Sequence, residues 1–181
     1  VFSKLRERFG GRVKLFVSGG AALPADIGNF FAAAGMRICE GYGLTETSPV
    51  MTVNPRDNER YGTVGHVIPG VTVGIQRVDD NKIIAELSGN QYPSNLTSAE
   101  GEILCKGPNV MQGYWGKKKE TKEVIDKDGW FHTGDIGRFD KGYLMITDRL
   151  KHMIVNAGGK NIYPRPISDC SSRRIWVNRS R

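Results

Sequence analysis

The sequence contains few cysteines, and their positions form neither a metal-binding nor a disulfide pattern. The 181 residues include three cysteines, Cys39, Cys105 and Cys170. They lie far apart and their number is odd, which excludes a short-spaced thiolate metal site and an even-numbered disulfide framework. We expect free, buried thiols and a reducing cytoplasmic setting.

Long apolar segments are also missing. No run approaches the ~20 residues that a membrane-spanning helix needs. The first residues, VFSKLRERFGG, have the spacing of the end of an amphipathic helix and lack the apolar core of a secretory signal. These absences argue against an integral membrane protein, and they leave open a peripheral association of a parent protein with a membrane.

The sequence lacks a continuous basic face, although its formal net charge is +7. Lysine and arginine are scattered except at residues 117–119 and 168–181, and the second stretch has four arginines against one aspartate. Surfaces that bind nucleic acid interleave basic with aromatic side chains, and no predicted face does so. We therefore expect no nucleic-acid partner and keep a nucleic-acid-binding fragment only as an alternative.

The first part of the chain has the pattern of a parallel α/β unit. Residues 12–20 predict a strand that ends in two glycines, residues 23–35 predict a helix, and residues 36–40 predict a second strand. In such units, ligands bind beyond the carboxyl ends of the strands. The segments SGGA and GYGLTE, residues 18–21 and 41–46, follow these ends. We expect both segments to face one crevice.

From Tyr61 onward, short apolar runs are broken by glycine, proline, asparagine and aspartate. This pattern predicts an antiparallel, barrel-like sheet. Residues 117–125 are its one predicted helix, and the sequence DKG at 140–142 predicts a hairpin turn. A charged cluster at residues 148–151 precedes a new apolar run and is the predicted domain boundary.

Three segments carry a family resemblance: GYGLTETSPV, GEILCKGPNVMQGYW and DGWFHTGDIGRFDKGYLMITDRLKHMIVNAGGKNIYP. In this order they resemble the adenylate-forming superfamily, and most of all its long-chain acyl-CoA synthetases. The resemblance implies an α/β fold, with residues 1–60 at the end of the large nucleotide- and acyl-binding subdomain. It also implies a β-barrel-like subdomain at 61–150, the start of a carboxyl-terminal lid domain at 151–167, and a tail outside the family pattern at 168–181.

The resemblance implies a two-step ligase reaction. Such enzymes activate a fatty acid with ATP and Mg²⁺ to an acyl-adenylate, and then transfer the acyl group to coenzyme A. Two alternatives within the superfamily are a fatty acyl-AMP ligase and another adenylating domain, such as that of a peptide synthetase. The alternative of another class is a non-catalytic fragment that binds nucleotide or nucleic acid.

The GYGLTE segment resembles the family's adenylation site. Thr45 is then a hydroxyl donor to the α-phosphate, and Glu46 is a hard oxygen ligand for Mg²⁺. Tyr42 is a flat surface for adenine, and Gly41 and Gly43 let the backbone approach the nucleotide. An incidental turn with a solvated carboxylate is the structural alternative.

Two further segments resemble parts of the same nucleotide site. Gly19, Gly20 and Ala21 resemble the segment that lines the adenine and the acyl channel. Asp135 resembles the aspartate that accepts hydrogen bonds from both ribose hydroxyls, for which paired carboxylate oxygens are suited. Arg149 resembles the arginine that contacts the ribose and phosphate.

The start of the predicted lid domain resembles the moving part of these enzymes. Lys151 lies at the position of the family hinge, about which the lid turns between adenylation and thioester formation. Gly158, Gly159 and Lys160 resemble the loop that approaches the pantetheine channel of coenzyme A after that turn.

Some parts of the family pattern are absent from these 181 residues. They contain neither the upstream Ser/Thr/Gly-rich phosphate loop nor the downstream lysine that neutralises charge during adenylation. After Ile167 the pattern stops and arginines accumulate, as expected of a truncation or a shifted reading frame. We expect a catalytic piece of a larger ligase that is inactive alone and associates with itself through exposed sheet edges.

Overall fold

The computed structural model describes residues 2–150, 154–155 and 161–162. Four residues with predicted roles, Lys151, Gly158, Gly159 and Lys160, lie outside these described residues, as does Cys170. Their roles stay predictions, and so does the division of the chain into domains.

The amino-terminal part forms the predicted parallel α/β unit. Its elements are α1 (Phe2–Arg8), β1 (Phe16–Ser18), α2 (Ala25–Ala33) and β2 (Ile38–Tyr42). β1 and β2 pair in parallel, and α2 forms the connection between them. Gly35, just beyond the end of α2, has a φ of +73°, which explains why the helix stops there.

Both strands of this unit are shifted relative to the sequence pattern. β1 begins at Phe16 rather than near Arg12, because its partner β2 begins opposite it at Ile38. β2 continues past the predicted end at Glu40, because Gly41 and Tyr42 pair in antiparallel fashion with β3 (Thr52–Val53). Tyr42 is therefore a strand residue, which fixes the position of its side chain more firmly than a loop would.

The rest of the described chain is dominated by antiparallel strands, as predicted. They are β4 (His66–Val67), β5 (Thr72–Gln76), β6 (Ile83–Ser88), β7 (Gly101–Lys106), β8 (Phe131–Asp140) and β9 (Tyr143–Arg149). β1 to β4 form one sheet in sequence order, and the other five strands form a second sheet in the order β6-β5-β7-β8-β9. Backbone bridges join Gly65 to Leu144 and Pro69 to Gly89, which gives the second sheet a barrel-like closure.

Short local elements complete the described fold. A 3₁₀ turn covers Thr45–Thr47, α3 covers Lys118–Val124, and β10 (Ile154–Val155) pairs with β11 (Asn161–Ile162). The predicted hairpin turn joins β8 to β9. Its two central residues, Lys141 and Gly142, both have positive φ, as a two-residue type I′ turn requires.

The main core lies on the inner face of the second sheet. Its buried side chains come from every strand of that sheet, from β2 and β4, and from the loops before β3 and β5: Tyr42, Met51, Val67, Val71, Val73, Ile75, Leu87, Ile103, Cys105, Phe131, Phe139 and Leu144. Cys39 and Cys105 are buried free thiols, as expected. Among the described residues, no helix is long and apolar enough to cross a membrane.

Candidate active site

The two strand ends singled out in the sequence lie side by side. A Cβ atom on Gly19 would stand 3.4 Å from the carbonyl oxygen of Gly41. The connection after β1 is held to the end of β2 by Glu40, whose Oε1 accepts a hydrogen bond from the Leu23 amide at 2.9 Å. Gly19 thus adjoins the GYGLTE segment, and the common crevice that both segments were expected to face stays a prediction.

Glu40 has no role in the sequence-based prediction, and its environment is unusual. The residue is 4% exposed, and among the described residues its Oε2 has no hydrogen-bond partner. Burial raises the pKa of Glu40 above that of an ordinary glutamate. The available signal was an acidic residue within a segment predicted to be a strand. It indicates a carboxylate that positions the neighbouring loop.

The loop that carries Thr45 and Glu46 is fixed by its own backbone. A Cβ on Gly43 would lie 1.8 Å from the carbonyl oxygen of Pro49, so only glycine fits there. The fully buried Thr47 accepts a hydrogen bond from the Leu44 amide at 2.9 Å. Gly43 is therefore needed by the loop itself, and Thr47 is a positioning residue that the sequence pattern did not reveal.

Thr45 and Glu46 differ in how they are held. Thr45 is exposed, and within the described part of the chain its hydroxyl has no hydrogen-bond partner. Glu46 is half-buried, and its Oε1 accepts a hydrogen bond from the Tyr114 hydroxyl at 2.9 Å. This hydrogen bond is the main cause of the raised pKa of Tyr114. The arrangement leaves the Thr45 hydroxyl and Oε2 of Glu46 available to a ligand.

Asp135 connects the second sheet to β2. Its Oδ2 accepts a hydrogen bond from the Tyr42 hydroxyl at 2.7 Å, although the two residues are 93 positions apart. Its Oδ1 lies 3.3 Å from Nε of Arg149, the residue opposite it in the β8–β9 pairing. Asp135 is 7% exposed. Three predicted site residues, Tyr42, Asp135 and Arg149, therefore meet in one network.

Tyr42 is buried more deeply than a side chain whose only role is to stack against adenine would need to be. It is 9% exposed and belongs to the core cluster. Burial, followed by the charge of Asp135, raises the pKa of its phenol, so the hydroxyl is a donor at neutral pH. The raised pKa thus favours the protonated phenol that the hydrogen bond to Asp135 requires. The predicted contact of Tyr42 with adenine stays a prediction.

A second network supports the backbone on which Asp135 lies. Oε1 of Glu102 accepts a hydrogen bond from the Gly134 amide at 3.1 Å, and its Oε2 lies 3.0 Å from Nδ1 of His132. This contact is the main cause of the raised pKa of His132. The amide of Asp135 donates to the Thr133 hydroxyl at 3.1 Å. Glu102 and His132 had no predicted role, because they lie 30 residues apart in the sequence.

The residues present fit a magnesium ion that is shared with a nucleotide. Within the ranges that the structure describes, no three His, Cys, Asp or Glu side chains group as a self-contained metal site. Mg²⁺ commonly takes only one or two carboxylates and completes its shell with phosphate oxygens and water. Glu46, with one oxygen fixed by Tyr114 and the other without a hydrogen bond within the described chain, is suited to that role.

Comparison with known proteins decides the family. The sequence profile described as AMP-binding enzyme matches residues 2–115. The chain belongs to the AMP-binding enzyme family. Over 170 residues it is 41% identical to the long-chain-fatty-acid–CoA ligase FadD15 of Mycobacterium bovis, covering 93% of this chain and 24% of the relative. It is 40% identical to long-chain-fatty-acid–CoA ligase 5 of Rattus norvegicus, covering 96% of this chain and 24% of the relative.

Solved structures of adenylate-forming enzymes share the fold. MatB from Rhodopseudomonas palustris, in its apo form, superposes with a TM-score of 0.71 at 37% identity over 87% of this chain and 30% of its own. MenE from Bacillus subtilis, in complex with ATP and magnesium ion, superposes with a TM-score of 0.67 at 26% identity over 89% of this chain and 33% of its own. The chain spans about a quarter of the length of the curated relatives it matches.

Proposed function

We propose that this chain supplies the nucleotide-binding part of an ATP-dependent fatty acyl-CoA ligase. The observation that carries the proposal is the network in which Tyr42 and Arg149 hold Asp135 next to the GYGLTE loop. A carboxylate has about four lone-pair positions, so Asp135 can accept ribose hydroxyls in addition to its two protein partners. The fixed carboxylate of Asp135 and the exposed hydroxyl of Thr45, on the turn after β2, are suited to adenosine and its α-phosphate.

The chemistry asked of these residues is positioning and charge neutralisation. A carboxylic acid substrate is already ionised near neutral pH, so its attack on the α-phosphate needs no general base. Thr45 donates a hydrogen bond to the phosphate, Asp135 and Arg149 orient the ribose, and Glu46 holds Mg²⁺. The metal supplies charge neutralisation on the phosphate oxygens when it is bound. Fixed donors of this kind stabilise the developing charge without reorganising.

We propose the carboxylic acid substrate from the relatives that this chain resembles. Long-chain-fatty-acid–CoA ligases from a bacterium and a mammal are 40 to 41% identical to this chain, which favours a fatty acid and coenzyme A as substrates. A feruloyl-CoA synthase from Amycolatopsis is 38% identical over 87% of the chain, so an aromatic acid is the second candidate. Lys151, Gly158 and Gly159 are proposed to serve the coenzyme A step as hinge and loop. The proposed setting is the cytoplasm.

The isolated chain is proposed to lack ligase activity. Adenylation spreads negative charge over the phosphates, and neither the phosphate loop nor the distal lysine of the family pattern is present in the 181 residues. Loss of one preorganised donor commonly lowers a rate by about 10² to 10³. Pyrophosphate release by the purified chain with ATP, Mg²⁺, a fatty acid and coenzyme A is the measurement, and none is expected.

A hybrid ligase tests the function itself. Residues 2–150 of this chain would replace the matching segment of the Mycobacterium bovis ligase, with pyrophosphate and thioester formation as readouts. We expect a folded, active hybrid that Asp135→Ala inactivates. The matched control is Asp80→Ala, because Asp80 is also paired with an arginine, Arg77, at 2.9 Å. A folded hybrid that releases no pyrophosphate, or one that tolerates Asp135→Ala, would contradict the proposal.

A further inference from the structure

The loop after β7 folds back onto the GYGLTE segment. The amide of Met111 donates a hydrogen bond to the carbonyl oxygen of Glu46 at 2.8 Å. The side-chain amide of Asn109 donates to the carbonyl oxygen of Thr47 at 3.1 Å. These contacts and the Tyr114–Glu46 hydrogen bond hold the 3₁₀ turn from one side. Neither the family resemblance nor the proposed function gives Tyr114 a role.

Tyr114 reaches Glu46 from a position that is itself fixed. Its amide donates to the hydroxyl of Thr121 in α3 at 2.9 Å, and that hydroxyl donates to the carbonyl oxygen of Lys117 at 2.8 Å. The preceding Gly113 has a φ of +141°, and a Cβ there would lie 2.7 Å from the Thr121 methyl group. Only glycine allows this close approach, so the loop presents the tyrosine from a firm base.

The hydrogen bond occupies one carboxylate oxygen of Glu46. A glutamate side chain has several rotatable bonds, and a half-buried one pays conformational entropy whenever a ligand fixes it. The Tyr114 hydroxyl, 2.9 Å from Oε1, reduces this freedom before any ligand arrives. The partner of a metal-binding carboxylate orients it and tunes its affinity in the same way.

We infer that Tyr114 is a positioning residue that holds Oε1 of Glu46 and directs Oε2 toward the magnesium ion of the bound nucleotide. The inference rests on the proposed function, since Glu46 is a metal ligand only there. Tyr114 touches neither the nucleotide nor the metal in this account. Removing the Tyr114 hydroxyl should weaken metal binding and leave the nucleotide contacts at Asp135 intact.

The test uses the labelled 181-residue chain, Mn²⁺ as a paramagnetic replacement for Mg²⁺, and ATP. The variant is Tyr114→Phe, and the matched control is Tyr92→Phe, an exposed tyrosine that lies against His66. NMR first reports the chemical shift of the Glu46 carboxyl carbon without ligands. It then gives the Mn²⁺ concentration that halves the Glu46 amide signal in the presence of ATP, and separately the ATP affinity without metal.

We expect Tyr114→Phe to shift the Glu46 carboxyl carbon and to raise the required Mn²⁺ concentration by about 10-fold, as loss of an outer-shell partner commonly does. Metal-free ATP affinity should not change, and Tyr92→Phe should behave as the wild-type chain. An unshifted carbon, an unchanged Mn²⁺ requirement, or an equal loss of ATP affinity would overturn the inference.

Failure of the proposed function would look different. A wild-type chain that does not bind ATP counts against the nucleotide site. The same comparison of the two variants is then made with Mn²⁺ alone, where the 10-fold difference is again expected. A wild-type chain in which Mn²⁺ leaves the Glu46 signal unchanged in both titrations would overturn the inference about Tyr114.

Discussion

The second sheet and the amino-terminal α/β unit cover their apolar side chains to very different extents. Val73, Ile75 and Phe139 of the sheet are fully buried. In the amino-terminal unit, Val17 on β1 is 69% exposed and Phe30 on α2 is 51% exposed. The sheet supplies its own core, whereas the other described residues leave these two side chains of the α/β unit largely uncovered. Exposed apolar faces of this kind indicate a contact surface.

The candidate site lies where these two regions meet. Asp135 belongs to the self-supporting sheet, and Tyr42 belongs to β2, which pairs with the uncovered strand β1. The hydrogen bond between them makes the part of the site that we propose for the ribose continuous with the buried core. Thr45 and Glu46, on the loop after β2, depend on Tyr114 and Thr47 instead. The part proposed to hold the ribose should therefore be more rigid than the part proposed to hold the phosphate and metal.

The largest expected effect is on the free energy of unfolding, and it appears when two phenylalanines are each replaced by alanine. Phe139→Ala removes a fully buried ring and should lower the free energy of unfolding by about 3–5 kcal/mol. Phe30→Ala, in the uncovered face, should lower it by about 1 kcal/mol or less. Urea denaturation of both variants measures the difference. Equal losses would show that the amino-terminal unit is as well packed as the sheet.

The next effect concerns binding at the junction. Asp135→Ala removes both proposed ribose acceptors and should weaken AMP binding by about 2 kcal/mol, or roughly 30-fold. Asp80→Ala, the arginine-paired carboxylate outside the site, should leave the affinity unchanged. Calorimetric titration with AMP measures both. An unchanged AMP affinity in the Asp135→Ala variant would show that Asp135 does not bind the ribose.

A smaller, pH-dependent effect is expected at His132. Its pKa is raised, first by the hydrogen bond to Glu102, so the protonated imidazole is favoured in the folded state. The stability from this shift is fully present below the unfolded pKa of about 6.5 and is lost as pH rises through the higher folded value. Denaturation of wild-type and His132→Gln chains across this range should therefore differ most at the acidic end.

Glu102→Gln is the control for the histidine prediction. It removes the negative charge that favours the imidazolium and keeps a side chain of the same shape. In this background, His132→Gln should lose most of its pH-dependent effect. A pH dependence that survives Glu102→Gln would assign the effect to another group, such as Asp126, 3.7 Å from Nε2 of His132.

The smallest effect on stability should be Val17→Lys, because Val17 is mostly exposed at the edge of its sheet. The change should alter the free energy of unfolding by about 0.5 kcal/mol or less. We also propose that the isolated chain associates with itself through β1, and a lysine on an edge strand opposes such pairing. Sedimentation velocity should show fewer oligomers for Val17→Lys. Ile83→Lys, on the edge strand β6, is the control, and an equal effect from it would argue against β1 as the contact.

Local patterns in the sequence predicted much of the fold. The turn at residues 140–142, helix α3 and the parallel pairing of β1 with β2 are confirmed. The predicted end of β2 at Glu40 was wrong, because pairing with β3 extends the strand to Tyr42. That pairing depends on residues ten positions downstream, and a period-two pattern cannot report it.

Local sequence patterns also predicted part of the candidate site. Asp135 and Tyr42 belong to segments that resemble the family, and the structure brings them together. Tyr114 and Glu102 act through partners 68 and 32 residues away, Glu46 and Gly134. Their positions follow from sheet pairing and loop packing. No local spacing indicates which side chain will meet them.

Mapping the AMP contacts on the chain would show whether residues from β2, its following loop and β8 form one nucleotide site. AMP would be titrated into the ¹⁵N-labelled 181-residue chain while the amide shifts are recorded. We expect the largest shifts in residues 41–46 and 133–135, and we expect Asp135→Ala to abolish both sets together. Shifts confined to the basic residues of α3, or no shifts at AMP concentrations well above millimolar, would contradict it.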